Sequence, residues 1–167
     1  MNICYNTTAP NIGLRMNEER TTLKCYMNDT GLLISHAFDE NSIVSADIYN
    51  KLLFGKIECN EGMFVENVIA QMLASAGHKL YFFSNYDKNV AEKRMETDFL
   101  ILKDKVTSIH NIIPIEAKSG KNYTLVSMKK CINEYANYIT SPTVIHVSDM
   151  KIEDGITYLP IYMTPLL

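Results

Sequence analysis

Two apolar runs decide the fold: Glu96-Thr97-Asp98-Phe99-Leu100-Ile101-Leu102 and Ile112-Ile113-Pro114-Ile115-Glu116-Ala117-Lys118. Rich in β-branched and aromatic residues, Thr97–Leu102 and Ile112–Lys118 read as strands, and the short connection between them suits an antiparallel hairpin. Both are apolar on both alternating faces, which is the pattern of strands covered on two sides. Three charges interrupt them: Asp98, Glu116 and Lys118. Side chains alternate along a strand, so Glu116 and Lys118 point to one side.

Working outward, Leu80 to Ser84 reads as a further strand, joined to the hairpin by a charged linker from Asn85 to Arg94. Before it, Val65, Val68, Ile69, Met72, Leu73 and Ala76 recur at helical spacing, and Gly77 ends the run. Glu66 borders that stripe, next to Leu73 on the helical wheel. After the hairpin, Ser119-Gly120 breaks the strand, and Thr124 can cap a helix carrying Leu125, Met128, Ile132, Tyr135, Ala136 and Ile139 on one face. Thr143 to Val147 is a fourth strand. A turn at Glu153-Asp154-Gly155 leads to a last strand from Ile156 to Tyr162. A strand–helix–strand step needs a crossover, so the strands at 112–118 and 143–147 are expected to be parallel. The order helix, three strands, helix, strand predicts an α/β fold with a mixed sheet and helices on both faces.

The N-terminal part reads more weakly. Residues 1–20 hold Asn, Thr, Pro and Gly and suggest loop with a short extended start. Leu23 to Met27 could be a strand. Asp29-Thr30 caps a short helix through Leu32, Leu33 and Ala37, and a second short helix is expected from about Ala46 to Phe54. The chain thus divides into a linker-like extension with short helices over 1–56 and the main domain over 57–167.

Composition narrows the functions. With 167 residues, 47% hydrophobic and 21% charged, the chain can bury a core. No stretch of about 18 apolar residues and no signal peptide occur, so no membrane is expected. Cys4, Cys25, Cys59 and Cys131 form no Cys-x-x-Cys knuckle and read as reduced cytoplasmic thiols; four scattered histidines give zinc little support. A formal charge of −3 argues against coating nucleic acid by charge alone. The charge is uneven, however: from Lys93 to Lys130 eight basic residues face four acidic ones, a local +4 that leaves the rest at −7. Any phosphate-binding surface should lie in that middle segment.

Burying unpaired charge is costly, so Asp98, Glu116 and Lys118 should pair, bind a cation or sit at the open end of the sheet. In a hairpin Asp98 can lie near Glu116. Two carboxylates beside a lysine suit a hard divalent cation such as Mg²⁺ or Mn²⁺, which orients water and stabilises charge on a phosphate. The lysine can stabilise that charge or help activate the water. Glu66 could add a further group, through the metal or its water. The plainer alternative is an edge ion pair between Glu116 and Lys118, with Asp98 capping a strand. Ser119-Gly120-Lys121-Asn122 lacks the residues of a phosphate loop and reads as a turn. Tyr135 and Tyr138 fit core packing better than base stacking.

Four motifs carry a family resemblance. Lys24-Cys25-Tyr26-Met27-Asn28-Asp29-Thr30-Gly31-Leu32-Leu33, Glu61-Gly62-Met63-Phe64-Val65-Glu66-Asn67, Glu96-Thr97-Asp98-Phe99-Leu100-Ile101 and Pro114-Ile115-Glu116-Ala117-Lys118-Ser119-Gly120 stand in this order. Over about residues 22–140 the chain resembles a domain of unknown function that follows an AAA-type P-loop ATPase in bacterial and archaeal proteins. Thr97 departs from the apolar residue usual before the aspartate. Residues 1–20 resemble the end of the segment that joins the ATPase to this domain, and no Walker A motif is present. The resemblance implies the PD-(D/E)xK, restriction-endonuclease-like fold. The superfamily's catalytic positions fall on Glu66, Asp98, Glu116 and Lys118, with Asp98, Glu116 and Glu66 as the metal ligands. Three functions stay open at this point: a Mg²⁺-dependent nuclease acting on DNA in preference to RNA, a non-catalytic module that binds nucleic acid or docks on an ATPase, and a remnant without a present role.

Overall fold

The computed structural model describes residues 1–11, 13–38, 61–85, 94–103 and 109–167. Its strands are β1 (Asn2–Thr7), β2 (Glu18–Tyr26), β3 (Leu80–Asn85), β4 (Met95–Leu102), β5 (Ile112–Ala117), β6 (Thr143–His146), β7 (Lys151–Glu153) and β8 (Ile156–Pro160). Its helices are α1 (Thr30–Phe38), α2 (Glu61–Ser75) and α3 (Val126–Glu134), with 3₁₀ turns at Leu14–Asn17 and Ile161–Leu166. The helix expected over 46–54, most of the charged linker, and Cys59 lie outside the described residues.

The eight strands form one mixed sheet in the order β2-β1-β3-β4-β5-β6-β8-β7. The expected hairpin is present: β4 and β5 run antiparallel, with Phe99 opposite Ile115 and Ile101 opposite Ile113. The crossover through α3 returns the chain to the same end of the sheet, so β5 and β6 are parallel, as expected of a strand–helix–strand step. Helix α2 covers one face of the sheet. Its Ile69, Ala70 and Leu73 pack with Phe82, Phe99, Ile101, Ile113, Ile115 and Ile145. Each such large side chain, taken fully out of water, contributes about 2–3 kcal/mol. Helix α3 covers the other face, where Cys131 and Met128 meet Leu100, Ile112 and Val144.

Three sequence expectations need correction. The short extended start of residues 1–20 is present as β1, but the remainder is not all loop: a 3₁₀ turn leads into β2, β1 pairs in parallel with β3, and β2 closes that side of the sheet antiparallel to β1. Their Asn, Thr and Glu residues disguised strands whose outer member is largely exposed and therefore needs little apolar content. The buried face of α2 is also rotated from the expected stripe, since Asn67 is buried while Ala76 is exposed. Asn67 is satisfied there: it accepts from the Met27 N–H at 2.8 Å and donates to the Met27 carbonyl and the Thr30 hydroxyl, pinning the β2–α1 turn. Finally, α3 starts at Val126 without a side-chain cap from Thr124 and stops at Glu134. Ile139 instead leaves the helix and bridges to Ile112.

The last hairpin follows the sequence closely. Asp154 and Gly155 both have positive φ, 51° and 74°, which is what a two-residue turn between β7 and β8 demands.

Candidate active site

A single extra residue in β4 sets the geometry. Tyr81 pairs with Leu100, but Phe83 pairs with Thr97, so two positions on β3 span three on β4. This is a β-bulge at Asp98–Phe99. Without it, Asp98 would share the α3 side with Leu100. With it, Thr97 faces α3, while Asp98 and Phe99 both turn toward α2. Asp98 lines a cavity of about 590 Å³ together with Lys24, Tyr26, Glu66, Asn67, Ala117 and Lys118.

Glu116 falls on the opposite face. Ile113 and Ile115 pack under α2, Ala117 beside them, so alternation sends Glu116 to the side of its neighbour Val144 and of α3. The Cys131 thiol on α3 reports this: burial pushes it up to about 11, a hydrogen bond with Thr97 opposes the rise, and the Glu116 charge adds to it. Asp98 and Glu116 nevertheless approach each other where the β4–β5 ladder stops. Asp98 Oδ2 accepts the Ala117 N–H at 2.8 Å, one residue from Glu116. Lys118 Nζ donates to Glu116 Oε1 at 2.8 Å, the same-side pair expected from the strand period.

Both carboxylates are raised. Burial, then the charge of Glu116, push Asp98 up to about 7, against the pull of the Ala117 N–H. Burial also holds Glu116 above the usual carboxylate range, although Lys118 opposes the rise. Glu116 Oε2 is buried and has no hydrogen-bond partner among the described residues.

Glu66 is held elsewhere. The Tyr26 hydroxyl donates to its Oε1, and Lys24 Nζ lies 3.2 Å from the same oxygen. Lys24 also lies 3.0 Å from Glu96 Oε1. Burial and the nearby Glu66 push the Tyr26 hydroxyl far above its ordinary value, so it stays a donor. Burial disfavours the Lys24 charge, but Glu66 and Glu96 outweigh it and hold the ammonium above its ordinary value. Among the described residues no three His, Cys, Asp or Glu side chains gather into a ready-made metal cage. The structure therefore brings Glu66 and Asp98 to one cavity, ties Asp98 to the Ala117 N–H across the ladder, pairs Glu116 with Lys118 along its own strand, and leaves Glu66 tied to β2.

Lys24, Tyr26 and Glu96 were not singled out from the sequence. One signal was present: Lys24 and Tyr26 stand two apart in the run Leu23–Met27, so as a strand they share a face.

The profile of the domain of unknown function DUF4143 matches residues 61–164, and the chain belongs to that family. Members are typically found C-terminal to AAA ATPase domains. The match starts at α2, so Lys24 and Tyr26 lie outside it. Comparison with curated proteins and with solved structures gives no match. Among the described residues, no helix is long and apolar enough to cross a membrane.

Proposed function

We propose that the chain is a metal-dependent, nuclease-like domain of the PD-(D/E)xK type that hydrolyses DNA phosphodiester bonds. One observation carries the reading. Asp98 and Glu116 are two carboxylates raised by burial and, at Asp98, by the neighbouring charge, and Glu116 keeps a buried oxygen without a partner. A hard divalent cation relieves such a pair, because it restores to both carboxylates the favourable field that burial removed. The residues fit one Mg²⁺ or Mn²⁺ through Asp98 and Glu116, with water and substrate phosphate completing the shell. When bound, the ion supplies charge neutralisation on the phosphate and an acidified water.

The chain's own groups do the rest. Lys118 lies beside Glu116 and brings a positive charge to the same end of the ladder, where it can meet charge developing on the phosphate. Glu66, fixed by Tyr26 and Lys24, lines the same cavity as Asp98 and can orient water there. The bulge holds Asp98 at the ladder's end, so the site rests on strands and not on a loop. The local +4 between Lys93 and Lys130 suits a polyanionic strand, in a chain that is acidic elsewhere. On this reading the domain works in the cytoplasm, beside an AAA-type ATPase module.

The test is divalent-dependent degradation of single- and double-stranded DNA by the native protein and by Lys118→Met, purified identically. Loss of cleavage in Lys118→Met supports the reading; equal cleavage by both contradicts it. A second reading, a non-catalytic module that binds nucleic acid or docks on the ATPase, is favoured by one feature: Glu66, Asp98 and Glu116 each already hold an internal donor. Metal binding without cleavage of any substrate would select it.

A further inference from the structure

We propose that a second cavity, beside the candidate active site, is a phosphate subsite that holds the backbone of a polynucleotide next to the phosphodiester at Lys118. The inference deepens the nuclease-like reading and rests on it for the group at Lys118. Strands β5, β6 and β8 run parallel, so their carboxyl ends open at one edge of the sheet, where α/β folds bind ligands. A cavity of about 390 Å³ lies there between segments 118–125 and 147–151, with Lys121, Tyr123, His146, Ser148, Asp149 and Lys151 in its lining. Its shape is built into the fold. His146 ends β6 and is 4% exposed. Its Nε2 lies 3.2 Å from the Asp149 carbonyl oxygen, which can only accept, so in the neutral ring Nε2 carries the proton. Nδ1, 3.2 Å from the Tyr123 hydroxyl, then accepts from it. One buried imidazole thus ties together both walls of the cavity. On β6, Val144 faces α3 and Ile145 faces α2, so His146 returns to the α3 side, which Glu116 and Lys118 share. The Lys118 N–H donates to the Ile145 carbonyl at 2.9 Å, which sets Lys118 beside His146. Lys118 also lines the cavity that holds Asp98, so it stands between the two.

Charge then selects the ligand. Lys121 and Lys151 are exposed at the rim, and Ser148 adds a hydroxyl. Burial raises the Tyr123 hydroxyl above its ordinary value, while the charges of Lys151 and Lys118 oppose the rise, so both ammoniums act at the cavity wall. Among the described residues that line the cavity, Asp149 alone is acidic. Lys151 meets Glu153 at 2.6 Å, but that pair is exposed, and such a pair is weak enough to open for a phosphate. A mononucleotide fills one phosphate position. Two positions in a row, at Lys118 and at the Lys121–Lys151 pair, fit a strand.

The experiment measures binding of a short fluorescein-labelled DNA single strand by fluorescence anisotropy, without divalent ions, over a range of salt. It compares the native protein, Lys121→Met/Lys151→Met, and Arg15→Met/Arg20→Met, which removes two exposed charges on the β1–β2 side of the sheet. The lysine variant should lose about tenfold in affinity at low salt, and its slope of log affinity against log salt should flatten by about 0.7, the value of one phosphate contact. The arginine variant should match the native protein. No binding by the native protein, equal affinity in all three, or an equal loss in the arginine variant overturns the inference. So does competition by inorganic phosphate as effective as that by unlabelled strand. Cleavage with Mg²⁺ reports separately on the nuclease-like reading. A native protein that cleaves nothing, yet loses binding with the two lysines, sinks that reading and keeps the subsite as a nucleic-acid contact. Cleavage with binding untouched by the two lysines spares that reading and removes the subsite.

Discussion

Replacing Asp98 by Asn should make the protein more stable at neutral pH while removing its metal site. Asn keeps an oxygen for the Ala117 N–H and fills the same volume. It cannot ionise, and ionisation is what the fold resists. The folded state holds the Asp98 proton up to about pH 7, whereas the unfolded chain releases it near 3.8. The protonated carboxyl therefore favours folding, a contribution fully present below about pH 4 and lost as pH rises through 7. A shift of about three units corresponds to roughly 4 kcal/mol as an upper bound. Asp98 is half-buried and shares its titration with Glu116, so about 2 kcal/mol is the expected gain at pH 8. In a domain of this size that is a rise in melting temperature of about 4–8 °C. Thermal unfolding at pH 4 and pH 8 without divalent ions measures it. The two proteins should converge at pH 4 and separate at pH 8. An Asn variant less stable than native at pH 8, or a gap that ignores pH, would refute the electrostatic account.

Lys118→Met should lower DNA cleavage by at least about 100-fold in a plasmid-nicking assay, since it removes a charge aimed at the reacting phosphate, while leaving Mn²⁺ affinity equal or higher. Asn67→Ala should cost about 2–4 kcal/mol in urea unfolding, because it strands the Met27 N–H and carbonyl behind α2. Gly155→Val should lose about 1 kcal/mol or more on the same assay, as a β-branched residue resists the φ of 74° in the β7–β8 turn.

The central strands were legible because their chemistry is local. Apolar runs bounded by turn residues gave β3 to β6, and the Asp154-Gly155 pair gave the final turn. The crossover rule then made β5 and β6 parallel without knowledge of any contact. Two kinds of feature escaped. The first is partnership at a distance: β1 pairs on the edge of β3 and β2 on β1, so the polar first half of β2 is not legible although its end at Leu23–Tyr26 is, and Asn67 is buried because Met27 needs its amide. The second is the bulge at Asp98–Phe99. Strict alternation in Thr97–Leu102 gives no hint that Asp98 and Phe99 share a face, since the extra residue shows only against Tyr81 and Phe83. Lys118 beside Glu116 followed from the strand period alone. The company of Glu66 did not, because its partners Lys24 and Tyr26 come from β2, some 40 residues earlier.

The claim that Asp98 and Glu116 together hold a divalent cation is tested most directly by titrating Mn²⁺ into the native protein, Asp98→Asn and Glu116→Gln in a calorimeter at pH 6 and pH 8. The account predicts one tight-enough site in the native protein, with proton release at pH 6 as the ion displaces the proton that burial holds on Asp98, and loss of that heat in both variants. Equal heats in the native protein and Asp98→Asn would contradict it.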